Sequence, residues 1–320
     1  MSVTRRNLAG AFLAAAGMVL LSCAQSSSPA APPASGPGPL ATQVESLLVQ
    51  GERWLARGDA ARAGDAYEAA RQTAESLDDV KGLIGALNGL GQVAVRRGPS
   101  SQAVTLPARA VALAQQLGEP GLLVESLTAL GAAEHQAGHV KEAEQRYQQA
   151  LDLVRHRQDR SAEAVLLNNL GLVRQAMGED EQADQLLRQA MALNQAAGNG
   201  ESEASNHVNL GLLAEARHQY DAAEREYERA LELDRVGERR SDIAADLLRL
   251  GRVADRRGMP DRALAYFERA YRSYLAQGNV RHAAMALTQA AECAGKAGLV
   301  QEVARWKKEL DGLKSSPSVR

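Results

Sequence analysis

The stretch "LNNLGLVRQAMGEDEQADQLLRQAMAL", Leu167 to Leu193, returns forty residues later as "HVNLGLLAEARHQYDAAEREYERALEL", His207 to Leu233. Both place a Gly directly after a Leu, an Ala twelve residues beyond that Gly, and a second Ala seven residues further on. Followed outward in both directions, the period does not slip. Gly51, Gly91, Gly131, Gly171, Gly211 and Gly251 form one series that ends in Ala291. Gly58, Gly98, Gly138, Gly178, Gly258 and Gly298 form a second, interrupted by His218. Ala63, Ala103, Ala143, Ala183, Ala223 and Ala263 form a third, and Ala70, Ala110, Ala150, Ala190, Ala230 and Ala270 a fourth. Self-similarity at one fixed period marks a repeat architecture, in which no unit buries its apolar face alone and stacked neighbours complete the core.

Each unit reads as two helices. Leu247, Leu250, Gly251 and Ala254 follow the i, i+3, i+4, i+7 spacing of one buried stripe. The second Gly series is expected to close the first helix in a left-handed cap, after which a short turn leads into the second. Small side chains in the first Gly series and both Ala series let helix backbones approach closely. Composition agrees: 45% of residues are hydrophobic but only 3% aromatic, so the core is built from Ala and Leu rather than from rings. A formal net charge of -2 leaves no basic excess for nucleic acid.

Taken together, Leu-Gly in the first helix, an Ala twelve residues later, an aromatic four beyond and an Ala three beyond that resemble the tetratricopeptide repeat. Tyr67, Tyr147, Tyr227 and Phe267 supply the aromatic, with Leu187 as a substitute. The forty-residue period and the "LNNLG" wording are similar to the longer variants of kinesin light chain and of the LGN/Pins adaptors, rather than to the common unit of about 34 residues. The resemblance implies an all-α, right-handed helical solenoid of about seven helix-turn-helix units over residues 41–314, with a tail at 315–320. It also implies a concave face that holds protein or peptide partners, and no catalytic role. Two units depart from the pattern. Pro107 stands where the aromatic belongs, and because an interior proline costs about 3 kcal/mol, that helix is expected to kink or to start late. The last unit carries Ala291, Val303, Lys307 and Leu310 at the signature positions, which suits a polar terminal cap.

Ahead of the array, Arg5 and Arg6 precede an apolar run from Leu8 to Leu21, too short to span a bilayer comfortably, and then Cys23. Residues 1–22 read as an export signal. Its ending, Leu20-Leu21-Ser22-Cys23, resembles the lipobox of bacterial lipoproteins, which implies acylation of Cys23 and a lipid anchor in the membrane. "TRRNL" also resembles a weak twin-arginine signal, so the export route stays open. Loss of Arg5 and Arg6 takes the net charge from -2 to -4 in the processed form. Residues 23–40 are the acylated Cys and a tether: five of the chain's ten prolines fall between Ala24 and Pro39. At about 3 Å per residue such a spacer reaches on the order of 50 Å. Ala24, where an Asp commonly retains Gram-negative lipoproteins in the inner membrane, resembles an outer-membrane address facing the periplasm. With Cys23 lipidated, Cys293 has no disulfide partner, and its place in the period with Val93, Ala133, Val173, Leu213 and Val253 makes it a buried small hydrophobe.

Catalytic, metal and cofactor signatures do not emerge. His135 and His139 sit four apart with Gly138 between them and no acidic partner in zinc-protease order. The "GNG" at Gly198 to Gly200 joins one helix pair to the next. Binding residues are more legible. Asn169 and Asn209 share one register in consecutive units, and the resemblance implies an Asn there that hydrogen-bonds a bound peptide backbone, an amide being both donor and acceptor. Arg249 continues that register, and Arg249, Arg252 and Arg256 lie at i, i+3, i+7, opposite Leu247 and Leu250. Three forked guanidinium groups on one face suit a carboxylate or acidic segment; the alternative is a solvated face balanced by Glu215 and Asp255. Glu52, Gln92, His135 and Gln175 are expected on the same face. The expected function is a membrane-anchored scaffold or adaptor that holds a partner protein in its groove and assists a bacterial envelope machine. The alternative is a specific activator or accessory subunit of a cell-wall enzyme.

Overall fold

The computed structural model describes residues 39–98 and 100–315. Cys23, the leader and the tether to residue 38 lie outside the described residues, as do residues 316–320. Among the described residues there are fourteen α-helices and no strands. In chain order they are α1 (Pro39–Ala56), α2 (Ala60–Ser76), α3 (Val80–Arg97), α4 (Ser101–Leu117), α5 (Pro120–Gln136), α6 (Val140–His156) and α7 (Arg160–Ala176). Then follow α8 (Asp180–Ala196), α9 (Gly200–Ala216), α10 (Tyr220–Val236), α11 (Arg240–Arg256), α12 (Pro260–Ala276), α13 (Val280–Lys296) and α14 (Val300–Ser315). They pair in sequence, α1 with α2 through α13 with α14, one pair per forty-residue unit. The described helices form two compact bodies, residues up to 186 and residues from 187, with the division inside α8.

The joints explain the regularity. A left-handed residue follows the first helix of six of the seven pairs: Gly58, Gly138, Gly178, Gly258 and Gly298 lie at φ between 71° and 82°, and His218 takes the same conformation at 58°, whereas Gly98, expected in the same cap, ends α3 at φ 114° and ψ -172°, outside the left-handed helical region. After Gly138 the chain closes as a Schellman motif, with His139 N donating to the Glu134 carbonyl at 2.8 Å and Gly138 N to the His135 carbonyl at 3.0 Å. The next residue begins the following helix. Asp59 Oδ1 accepts from Arg62 N at 3.0 Å, and Asp159 Oδ1 from Ala162 N at 3.0 Å, both as N-caps. Three residues thus stop one helix and start another. The joints between pairs use the same device, which the sequence reading did not anticipate: Asp78, Gln158 and Glu238 take φ of 53°, 56° and 52°, alternating with Gly118, Gly198 and Gly278.

The Gly and aromatic series are two halves of one lock. A Cβ on Gly211 would lie 2.5 Å from Cε1 of Tyr227, one on Gly251 2.5 Å from Cε1 of Phe267, and one on Gly131 2.9 Å from Cε1 of Tyr147. The ring of the second helix occupies the volume that any side chain on the first would need. Ala70, Ala110, Ala150, Ala190, Ala230 and Ala270 are fully buried beside it, as close helix packing requires. Pro107 fills the aromatic position against Gly91. α4 runs on through Pro107 and begins at Ser101, one residue later in the period than α2 or α6, capped by Ser100 Oγ accepting from Gln102 N at 3.2 Å. The helix therefore starts one residue late yet still carries Pro107 in its interior, so the shift does not remove the proline from the helix as expected.

Cys293 is buried in the α9–α14 core, and burial pushes its thiol up to about 12, which keeps it protonated. The last unit differs from expectation in one respect. Lys307 is exposed, whereas Trp306 beside it is buried in that core with Arg305 over its ring at 4.4 Å. The aromatic has moved one position along the helix.

Candidate functional site

The first helix of each pair carries the residues expected to meet a partner. Asn169 on α7 and Asn209 on α9 are 1% and 0% exposed, so neither amide is open to solvent. Both are engaged, Asn169 Oδ1 accepting from Asn168 Nδ2 at 3.4 Å. Burial of an amide is tolerated when its donors and acceptors find partners. Glu52 on α1 is exposed, Gln92 and Gln175 are half-buried, and His135 is buried. Burial holds the His135 imidazole below its usual range.

The three arginines of α11 do not form one open cationic face. Arg249 Nη1 donates to Asp246 Oδ1 at 2.8 Å, one turn back on the same helix. Arg252 Nη2 donates to Glu215 Oε2 at 3.0 Å, and the same oxygen accepts from the Tyr227 hydroxyl at 3.0 Å. Burial, then the negative charge of Glu215, holds the Tyr227 phenol well above its usual range, so it stays a donor. Two guanidinium groups are thus taken by carboxylates of α9 and α11, as a partly buried charge demands. Arg256 is exposed and makes no ion pair among the described residues. Asp255, expected to balance this face, instead accepts from Lys296 Nζ at 2.7 Å.

Other polar groups stand where sequence reasoning singled out nothing. Asn88 Nδ2 donates to Ser126 Oγ at 3.0 Å, joining α3 to α5, and Asn194 Nδ2 donates to Asn206 Oδ1 at 2.7 Å, joining α8 to α9. Forty residues after the second pair, Asp234 and Asp246 are both buried between α10 and α11. His207, which replaces the Leu of other units and reads from the sequence as a core histidine, is buried with Nδ1 2.6 Å from Glu226 Oε2, while its Nε2 is buried without a hydrogen bond, 3.8 Å from Glu203 Oε1. The signal available for the Asn and Asp pairs was the forty-residue offset itself, which equates residue 194 with 234 and 206 with 246. Among the described residues no three His, Cys, Asp or Glu side chains converge as for a metal ion, and no helix is long and apolar enough to cross a membrane.

The tetratricopeptide repeat family model matches residues 82–156, 162–235 and 202–276. No curated protein matches the sequence. Among solved structures, BtubC from P. vanneervenii is 22% identical with a TM-score of 0.54, over 76% of this chain and 93% of that one. A Rap protein complexed with competence and sporulation factor is 15% identical with a TM-score of 0.63, over 85% of this chain and 75% of that one. The nearly identical repeats of a putative kinesin light chain from Podosopora anserina are 18% identical with a TM-score of 0.53, over 62% of this chain and 97% of theirs. At such identities the likeness is one of fold.

Proposed function

Because the chain belongs to the tetratricopeptide repeat family, a family of helix-pair scaffolds for protein interaction, we propose that it is a membrane-anchored adaptor. In this reading Cys23 carries the lipid, residues 24–38 space the array from the bilayer, and the first helices hold a segment of a partner protein in the bacterial envelope. The observation that carries it is the combination of a lipobox-like Leu20-Leu21-Ser22-Cys23 and a proline-rich spacer with a chain that then consists of helix pairs from residue 39 to 315. A Rap protein of the same fold was solved with competence and sporulation factor bound, which supports a scaffold that takes another molecule. Arg256, exposed and without an ion pair among the described residues, is the contact assigned to an acidic group on the partner.

Two measurements test the parts separately. Cys23→Ala is expected to release a folded, soluble protein from membranes; a variant that stays membrane-bound through carbonate washing overturns the lipid anchor. Cross-linked capture from detergent-solubilised envelopes is expected to recover a partner with the wild type and to lose most of it with Arg256→Glu. Equal recovery by both removes Arg256 from the contact.

A further inference from the structure

Two boundaries between consecutive helix pairs are built from equivalent residues of opposite chemistry. Between α8 and α9 the buried pair is Asn194 and Asn206, 5% and 1% exposed; between α10 and α11 it is Asp234 and Asp246, 3% and 0% exposed. An amide donates and accepts, so the first pair closes on itself at 2.7 Å. Two carboxylates only accept. Asp234 Oδ1 is held by Arg239, from Nε at 2.8 Å and Nη2 at 2.7 Å, and Asp246 Oδ1 by Arg249 Nη1 at 2.8 Å. The other oxygen of Asp246, Oδ2, is buried, receives no hydrogen bond, and belongs to a carboxyl facing that of Asp234. A proton on one carboxyl turns that contact into a hydrogen bond to the other.

The surroundings add negative charge. Asp242, one turn earlier on α11, has its carboxyl raised by burial and then by Asp234, with Glu201 of α9 also bearing on it and Arg239 and Arg249 opposing. From α12, Tyr274 faces Asp246, Asp242 and Arg249, and His282 of α13 stacks on its ring at 5.1 Å. Burial keeps both of these groups neutral near pH 7, raising the phenol and lowering the imidazole.

We propose that the α10–α11 boundary is a proton-operated latch: one proton shared between Asp234 and Asp246 closes it, and release of that proton to solvent as pH rises loosens the packing of these two helices. Burial foremost, opposed by Arg249 and reinforced by Asp234, pushes the Asp246 carboxyl up to about 8. In the unfolded chain the same group titrates near about 4. Between those values the unfolded chain has lost a proton that the native one keeps, so stability is full at the acid end, falls as pH rises, and the loss is complete above about pH 8.

The test uses the full chain in detergent, with urea unfolding and amide exchange of α10 and α11 followed from pH 5 to 9. Asp246→Asn supplies a permanent N–H toward Asp234 while its oxygen still accepts from Arg249. Relative to that variant, the wild-type folding constant is expected to fall about tenfold per pH unit from about pH 5 to 7, with exchange protection in α10 and α11 falling alongside. The double change Asn194→Asp with Asn206→Asp is expected to install a similar slope at the α8–α9 boundary, which has no latch of its own. A wild-type slope that persists in Asp246→Asn overturns the proposal. So does a double variant whose pH dependence matches the wild type, should Asp246→Asn fail to fold.

Discussion

Gln158 and Glu238 hold φ of 56° and 52°, a region where a Cβ crowds the following carbonyl at a cost of roughly 1–2 kcal/mol. Gln158→Gly and Glu238→Gly are each expected to raise stability by about 1 kcal/mol, visible as a higher thermal midpoint. Asp78→Gly is expected to gain less, since a short polar side chain visits this conformation more readily. These positions also show why the left-handed turns between pairs are only partly legible in the sequence. Glycine is the letter by which a left-handed turn is recognised, and the Gly58 series spelled out the turn inside each pair. Between pairs, three of the six left-handed residues are Asp, Gln or Glu, so the left-handed conformation of those joints is not legible from residue type. Packing on both sides fixes those backbones regardless of the side chain they carry.

At the level of helices, the fold rests on rings of one helix lying over glycines of its neighbour. Gly211→Ala would place a methyl 2.5 Å from the Tyr227 ring, which is fully buried and has nowhere to turn. The change is expected to cost about 1–3 kcal/mol in urea unfolding, although alanine is the better helix former. Both halves of this lock were legible, because each is a residue type at a fixed interval. Trp306 was not: the ring sits one residue from the place that the interval assigns to it. The arginines of α11 were legible as a face but not as a charge. Spacing along one helix puts Arg249, Arg252 and Arg256 together, whereas Glu215, which occupies Arg252, comes from α9, thirty-seven residues earlier. Which cations remain open is decided by neighbouring helices, and a local pattern carries no record of them.

Across the whole molecule, the period determines the all-α helix-pair class, while the partner rests on single exposed groups that the period says little about. The alternation at the joints between pairs says something about origin. Asp78, Gln158 and Glu238 are spaced eighty residues apart, each followed forty residues later by Gly118, Gly198 or Gly278. The ring positions alternate in the same rhythm, Tyr67, Tyr147 and Tyr227 against Pro107, Leu187 and Phe267. A gene that grew by copying one pair at a time would leave neighbouring joints alike. Alternate joints that resemble each other more than adjacent ones do point to duplication of an eighty-residue block, two helix pairs long. An internal deletion of that length restores matching turn residues at the new junction, whereas one of forty residues joins unlike ends. Descendants of this gene should therefore be found shortened or lengthened by two pairs more often than by one.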